Sequence, residues 1–381
     1  MTYQPPTKRI LSIDILRGII MILMALDHTR DFFYHSTFEP TDIEHASTIL
    51  FFTRWITHYC APTFIFLSGA SAFLSQGRGK TKREAAFQLL TRGIWLLIIE
   101  VTIVRFGWLF NLNYSRIIFQ VIWAIGCSMI VLSALIFLPR PYILAFALLL
   151  IFGHDALDGV KAASLGSYGN LWHILHEQGI ITYGNGNTIF VIYPLIPWVG
   201  VMAAGYCFGA LFRMPEQQRN KWLCGIGSSA IALFILLRAI NIYGDPFPWQ
   251  VQPLWRRSVL SFLNCNKYPP SLLYLLMTLG PGIAFLPVLE RMNGAVGRFF
   301  TVYGRVPFFY YILHIYLIHI IAVLFEIKQT GSATVNIDIH PSLSLGMVYV
   351  VYAIIILLLY FPCRWFMNVK KNNKKWWLSY L

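Results

Sequence analysis

Near its start the chain reads RILSIDILRGIIMILMALDHTRDFF over residues 9–33. A helix needs about 20 mostly apolar residues to cross a bilayer, and this stretch is long enough. It nevertheless carries charged side chains together with His28. Charged groups inside a membrane span cost free energy and are usually kept because they do something. The stretch therefore predicts a membrane-spanning helix whose polar residues are functional candidates.

The composition extends this reading to the whole chain of 381 residues, of which 57% are hydrophobic and only 12% are charged. An ordinary soluble domain has about 25% charged residues, so a soluble enzyme, a disordered tail and a nucleic-acid binder are all excluded. We predict an all-α polytopic membrane protein with about ten transmembrane helices, forming one domain over residues 1–381. The predicted spans are 10–34, 47–75, 84–110, 115–138, 141–156, 188–212, 220–243, 269–289, 299–326 and 343–367.

The formal net charge of +14 agrees with this topology when the N-terminus is cytoplasmic. The inner half of the ten-span arrangement then holds 20 Lys and Arg but 4 Asp and Glu, whereas the outer half holds 10 and 12. Because positive charge is retained on the cytoplasmic side, we expect both termini to be cytoplasmic. No small-residue cleavage site follows the first apolar run, so we expect a retained helix and not a removed signal peptide.

Spacing in the first helix groups its polar residues. Asp14 and Arg17 are three residues apart, so they share a face and could form an ion pair that is merely structural. His28 follows Arg17 by eleven residues, about three helical turns and about 16 Å along the same face. Asp31 is one turn beyond His28 and could orient the imidazole, as a catalytic base requires.

Other spans bring polar residues to a similar depth near the outer side of the membrane. This common depth indicates one polar cavity that opens outward, although a belt of polar groups at the membrane interface would look similar. Glu100 and His314 favour the cavity because they lie too deep to reach water easily. His314 and His319 are about 140° apart around a helix, so at most one faces the cavity. The predicted pocket residues are Asp14, Asp27, Arg30, His58, Glu100, Arg105, His314 and His319; Arg116, Gln120, His154 and Asp155 lie at the same depth.

Taken together, these segments resemble a known family. The stretch at 9–33 is similar to the opening of the heparan-α-glucosaminide N-acetyltransferase catalytic-domain family, within the transmembrane acyltransferase superfamily. The resemblance is closest to bacterial members, most of which have no assigned substrate. It extends to RWITHYCAPTFIFLSGASAFL, YPLIPWVGVMAAGYCFGAL, NKYPPSLLYLLMTLG and GRVPFFYYILHIYLIH. Related acyltransferase-3 proteins have an Arg, ten residues and then a presumed catalytic His, a spacing that Arg17 and His28 match.

The resemblance implies a membrane-bound enzyme of the bacterial inner membrane. It would move an acyl group, with acetyl the expected one, from cytoplasmic acyl-CoA to an extracytoplasmic sugar or glycolipid. His28 would be the base or the nucleophile, Asp31 its orienting partner, and Arg17 would bind the pantetheine or stabilise charge on the carbonyl. Lys80, Lys82 and Arg83 could meet the CoA phosphates. No metal and no nucleic acid are expected, and a homo-oligomer is compatible with the sequence.

One departure keeps a second assignment open. The family's lysosomal member has an Asn where this chain has His28, and its proposed catalytic histidine lies in the following loop. This chain offers His45 and His35 in that loop, so they are the reserve catalytic residues. His58 falls near a carboxylate position of that enzyme, which makes it a candidate pocket residue.

Two other functions fit the same residues. Intramembrane Asp, Glu, Arg and His are equally typical of an ion-coupled secondary transporter or flippase. Such proteins usually contain paired broken helices in two repeated halves, and we find prolines near the sixth and eighth spans but no matching halves. A non-enzymatic envelope or sensory protein is the third reading. The acyltransferase accounts for the most residues.

Overall fold

The computed structural model describes residues 10–76, 79, 81–330, 342–373 and 375–380, and most of them are helical. The α-helices are α1 Leu11–Phe33, α2 Thr48–Thr57, α3 Cys60–Gln76, α4 Lys82–Ile99, α5 Arg105–Leu109, α6 Val121–Leu135, α7 Arg140–Gly153, α8 Gly169–Leu175, α9 Leu195–Phe208, α10 Glu216–Ile240, α11 Trp255–Leu263, α12 Leu272–Glu290, α13 Ala295–Arg305, α14 Pro307–Thr330 and α15 Leu345–Asn372. A π-helical turn, Glu100–Val104, joins α4 to α5. Short 3₁₀ turns occupy His154–Leu157, Ala162–Tyr168, Gly209–Arg213 and Trp376–Ser379.

The first helix lies at the centre of the bundle. It packs against α2, α3, α12, α13, α14 and α15, which together bury most of its surface. Gly18 and Gly304 allow α1 and α13 to approach closely: a Cβ atom on Gly18 would collide with the carbonyl oxygen of Phe300, and one on Gly304 with that of Asp14. Backbone-to-backbone packing of this kind is typical of helices in membranes. The polar residues of α1 are consequently surrounded by protein.

Within the described residues, seven helical segments are long and apolar enough to cross a membrane. They are Lys82–Leu109, Arg140–Leu157, Leu195–Arg213, Glu216–Ile240, Leu272–Glu290, Pro307–Lys328 and Leu345–Asn372. The helix α1 has the length but carries five charged residues, while α3 and α6 are shorter. The chain is thus a predominantly helical membrane protein. The count of ten spans and the cytoplasmic termini stay predictions.

A small three-stranded sheet corrects two of the predicted helical spans. The strands β1 Arg116–Phe119, β2 Gly179–Tyr183 and β3 Asn187–Val191 pair in the order β1-β3-β2, with β1 parallel and β2 antiparallel to β3. The spans predicted at 115–138 and 188–212 therefore begin as strands, and their helices start only at α6 and α9. Both strands are short runs of β-branched and aromatic residues, which pattern alone does not separate from the end of a helix.

Two predicted spans are broken, and the two helices α8 and α11 were not predicted. The second span divides between α2 and α3, and Pro62 lies in the first turn of α3. The ninth divides at Val306, because Pro307 has no backbone N–H to continue α13 and starts α14 instead. The loop predicted over 244–268 contains α11. The break in the second predicted span determines the position of His58, and the break in the ninth predicted span determines the position of His314.

Candidate active site

The centre of the candidate site is a hydrogen-bonded pair of histidines from α1 and α14. His28 Nδ1 lies 2.8 Å from His314 Nε2, and the two rings are stacked with centroids 5.0 Å apart. The other ring nitrogen of His314, Nδ1, lies 3.0 Å from the carbonyl oxygen of Tyr310. His314 is completely buried, whereas His28 is partly accessible. Of the two predicted residues, His314 is therefore the fixed one and His28 the one a ligand can reach.

This chain of contacts determines where the protons lie. A carbonyl oxygen only accepts hydrogen bonds, so Nδ1 of His314 must carry the proton that it donates to Tyr310. In the neutral imidazole, Nε2 of His314 is then an acceptor, and His28 must donate to it from Nδ1. The remaining nitrogen of a neutral His28, Nε2, consequently holds a free lone pair. That is the state which a general base or a nucleophile requires.

Aromatic and acidic side chains form one wall beside His28. Trp108 meets its ring edge-on at a centroid distance of 4.9 Å, and Tyr311 does so at 6.3 Å. Trp108 also lines a small pocket with Glu100, Val104, Arg105, Leu109, Ile118 and Gln120. Glu100 is almost fully buried at the start of the π-helical turn. Its Oε1 accepts a 2.6 Å hydrogen bond from the backbone N–H of Gln120, at the start of α6.

Unused hydrogen-bonding capacity remains in this wall. Within the described part of the chain, Glu100 Oε2 is buried without a hydrogen-bond partner. Leaving a buried polar atom unsatisfied costs about 1–3 kcal/mol, more when the group is charged. π-helical turns inside α-helices are also frequent at functional sites. Together these features mark the surroundings of His28 as a place for a polar ligand.

An ion cluster lies at the C-terminal end of α1. Arg30 Nη1 is 2.8 Å from Asp27 Oδ1, Arg54 Nη1 donates to Asp27 Oδ2, and Lys267 Nζ is 3.9 Å from the same oxygen. Asp31 pairs with Arg30 at 2.5 Å and leaves 42% of its side chain exposed. The structure therefore does not give Asp31 the expected role: the partner of the His28 imidazole is His314, and Asp31 binds Arg30 instead.

His58 is buried in the turn between α2 and α3, and its Nδ1 has no hydrogen-bond partner within the described residues. Its ring lies 5.3 Å from that of Tyr274, whose hydroxyl donates to the His58 carbonyl oxygen at 2.8 Å. The charges of Asp27, Arg30, Arg54 and Lys267 act on both His58 and His28. The two histidines thus share one electrostatic environment.

A second polar cluster lies about three turns away, at the N-terminal end of α1. Arg17 donates to Ser71 Oγ at 2.7 Å and to the Gly304 carbonyl oxygen at 3.3 Å. Asp14 lies 3.8 Å from Arg17 and 3.4 Å from Arg305. The predicted Asp14–Arg17 neighbourhood is present. Eleven residues of helix separate Arg17 from His28 by about 16 Å, so Arg17 is placed for another part of a ligand than the atoms beside His28.

Two predicted pocket residues have structural contacts. The Arg105 guanidinium donates to the backbone carbonyl oxygens of Asn111, Asn113 and Arg116, and it therefore fastens the turn that leads into β1. His319 lies 2.8 Å from the Gly107 carbonyl oxygen through Nδ1 and stacks on Phe110. His314, and not His319, is the histidine of α14 that meets His28.

The reserve histidines lie in the loop after α1. His45 is 62% exposed at its side chain and pairs with Asp42 at 2.8 Å, while His35 is also exposed. The hydrogen bond from His45 lowers the pKa of the Asp42 carboxyl below its usual value. These contacts describe a solvated loop, and they do not place His45 in the cluster around His28.

The polar residues predicted at a common depth include a second group of contacts. His154 and Asp155 form their own cluster, in which Asp155 Oδ2 accepts from the backbone N–H of Leu272 and the His154 carbonyl oxygen lies 2.8 Å from His176 Nε2. They hold the start of α12. His154 and Asp155 thus make contacts of their own, and the single outward cavity stays a prediction. Across the described residues, no group of three His, Cys, Asp or Glu side chains could hold a metal ion.

Sequence reasoning missed Lys267 and Tyr310. Lys267 lies in the polar segment before α12, where nothing in the local pattern separates it from an ordinary loop charge. Tyr310 acts through its backbone carbonyl oxygen, which no residue pattern can reveal. The spacing of one helical turn between Tyr310 and His314 was the available signal, because an i, i+4 contact is possible wherever a helix is predicted.

Comparison with known proteins supplies one match. The family model described as "heparan-alpha-glucosaminide N-acetyltransferase, catalytic" matches residues 9–240, which is more than half of the chain. The match includes α1 to α10 and hence His28 and His58, whereas Lys267 and His314 lie beyond it. No curated protein matches the chain.

Proposed function

Since the chain belongs to the heparan-α-glucosaminide N-acetyltransferase catalytic family, we propose that it transfers an acyl group from acyl-CoA, with acetyl-CoA the expected donor, to a sugar or glycolipid outside the cytoplasm. The family implies acyltransferase activity in general. The donor, the acceptor and a place in the bacterial inner membrane are parts of the proposal. The observation that carries it is the contact chain from Tyr310 through His314 to His28, which leaves a lone pair on Nε2 of His28.

The reaction uses that lone pair as a general base. His28 Nε2 takes the proton of an acceptor O–H or N–H as the acceptor attacks the thioester carbonyl carbon. The C–S bond breaks, the acyl group stays on the acceptor, and the proton passes from His28 to the CoA sulfur. His314 fixes the imidazole throughout, because it holds the proton on Nδ1 of His28 in place.

The donor is proposed to approach from the inner side of the membrane. Arg17 lies between that side and His28, in reach of a pantetheine arm that extends along α1. Lys82 and Arg83 open α4 at the same side and would meet the CoA phosphates. Lys80, which was predicted with them, lies outside the described residues.

The test is transfer of radiolabelled acetyl from acetyl-CoA by the purified protein in nanodiscs, with a hydrolysed envelope glycan extract as acceptor. His28→Ala should lower the transfer rate by about 10²–10⁴, the usual contribution of a general base. His45→Ala is the matched control, since it removes an exposed histidine of the following loop, and it should keep wild-type activity.

Three results would contradict the proposal. Full activity of the His28 variant together with loss of activity in the His45 variant would assign catalysis to the loop. An acyl-enzyme formed from acetyl-CoA without acceptor would replace the direct transfer by a covalent route. Uptake of a solute into proteoliposomes with neither CoA binding nor acyl transfer would indicate a transporter.

A further inference from the structure

The ion cluster at the C-terminal end of α1 brings three cations together from separate elements. Arg30 comes from α1, Arg54 from α2 and Lys267 from the segment before α12. Their side chains are 4%, 14% and 10% exposed, so each is withdrawn from water almost completely. All three face Asp27. The fold has therefore concentrated positive charge at one buried place.

The carboxylates facing these cations do not balance them. Asp27 and Asp31 supply two negative charges against three positive ones. Arg30 has close partners in both carboxylates, and Arg54 donates to Asp27. Lys267 is different, because its ammonium is 3.9 Å from Asp27, beyond hydrogen-bonding distance, and it also lies over the Tyr268 ring at 5.1 Å from the centroid. A buried charge without a hydrogen-bonded partner is costly, so its retention requires a reason.

His58 is an independent sign of a ligand at the same place. Only 3% of His58 is exposed, and its Nδ1 lacks a hydrogen-bond partner among the described residues. The Arg54 side chain is one turn earlier in the chain, and Lys267 is among the charges that act on the His58 imidazole. The His58 imidazole thus has an unused hydrogen-bonding nitrogen one helical turn from Arg54, which itself binds Asp27.

We propose that Arg30, Arg54, Lys267 and His58 form a subsite for an anionic group of the acceptor, a carboxylate or a phosphate carried on a sugar. This inference rests on the proposed function, because it names the class of acceptor. Lys267 and His58 bind the anion, while Arg30 and Arg54 keep their contacts with Asp27 and supply the surrounding positive potential. Asp27 and His28 point about 100° apart around α1 at nearly the same height, so an anion held beside Asp27 leaves the rest of the sugar to reach around the helix to the base.

The experiment measures sugar binding to the purified protein in nanodiscs without any acyl-CoA. Each acidic probe is compared with its neutral counterpart: glucuronate with glucose, and glucose 1-phosphate with glucose. We expect at least one acidic probe to bind about tenfold more tightly than glucose. The glucuronate and phosphate arms separate an acidic sugar unit from a sugar phosphate as the source of the anion.

Three variants locate the effect. Lys267→Met removes the charge but keeps an unbranched side chain, and it should weaken binding of the acidic probe about tenfold while glucose binding is unchanged. Lys267→Arg keeps the charge and should retain most of the preference, which excludes misfolding as the cause. Lys161→Met is the control, because Lys161 is a 63% exposed lysine that pairs with Glu177.

The outcomes separate this proposal from the proposed function. No preference for either acidic probe, or an equal loss in the Lys267→Met and Lys161→Met variants, would overturn the anion subsite and leave acyl transfer standing. Acidic-sugar binding that depends on Lys267, in a protein that binds no acetyl-CoA and transfers no acetyl group, would support the subsite and refute the acyltransferase.

Discussion

Replacing His314 by alanine should slow acyl transfer far more than it weakens binding of the donor. The wild-type imidazole accepts the hydrogen bond from His28 Nδ1 at 2.8 Å. When His28 takes up the acceptor proton, it becomes an imidazolium, and this bond becomes charge-assisted. The interaction is therefore stronger in the transition state than in the ground state, which is the condition under which a contact raises the rate.

The size of the effect follows from that bond. A hydrogen bond to a charged group contributes about 1.5–3 kcal/mol, and each 1.4 kcal/mol corresponds to a factor of about ten in rate. We therefore expect the His314→Ala variant to lose between about 10-fold and about 10²-fold in kcat. The KM for acetyl-CoA should stay within about twofold, because His314 is fully buried and reaches the reaction only through His28.

Two further variants separate positioning from folding. His314→Gln keeps an acceptor oxygen near the position of Nε2 and fills most of the volume, so it should recover a large part of the rate lost in His314→Ala. His319→Gln is the matched control, since His319 is equally buried on the same helix but bonds to the Gly107 backbone. The assay is steady-state transfer with thermal unfolding of each variant alongside.

The reasoning is refuted if His314→Ala retains kcat within about twofold of wild type while it folds normally. Equal losses of kcat in His314→Ala and His319→Gln, at equal melting temperatures, would also refute it, because the loss would then come from disturbance of α14. A rise in KM without a fall in kcat would move His314 from the reacting pair to donor binding.

Two other predictions concern loop contacts away from His28. Arg238→Lys should lower the melting temperature by several degrees. The buried guanidinium donates to four backbone carbonyl oxygens between Phe247 and Asn264, and an ammonium cannot reach them all. An unchanged melting temperature in a thermal-shift measurement would contradict this. The His45 hydrogen bond holds the pKa of Asp42 below its unfolded value of about 3.8. The bond therefore stabilises the loop above that pH, and its contribution is lost as the pH falls through the lowered pKa. Hydrogen exchange of residues 34–47 should show this loss in the wild type and not in the Asp42→Asn variant.

The sequence predicted most of the helices because their apolar runs are long, and the pattern failed where the runs are short. Residues 116–119 and 187–191 are mostly apolar, β-branched or aromatic. Such a run can either continue a predicted helix or form a strand. Pairing between β1 and β3 joins segments about 70 residues apart, and a local pattern carries no information about such a partner. The break at Val306 was readable in principle, since Pro307 follows it directly.

The sequence named His28 and His314 as candidates, but it did not predict the hydrogen bond between them. His28 and His314 were both chosen for their depth in the membrane, but the spacing along α1 favoured Asp31 as the partner of His28. A residue one turn away on the same helix is only one of several neighbours, and α14 supplies a closer one. Asp31 instead contacts Arg30 and water. Two other elements bring Arg54 and Lys267 to the same end of α1, where Arg30 binds the carboxylates of both Asp27 and Asp31.

Residues from the region that matches the family model, 9–240, and residues that follow it together form the candidate site. The region that matches the family model supplies His28, His58 and Arg54. His314, which accepts the hydrogen bond from His28, and Lys267 both come from beyond residue 240. A protein ending at α10 would leave Nδ1 of His28 without His314 and Asp27 without Lys267. The matching region alone is therefore insufficient for the proposed chemistry, and α12 to α14 must be packed against α1 before His28 has the orientation that the reaction requires.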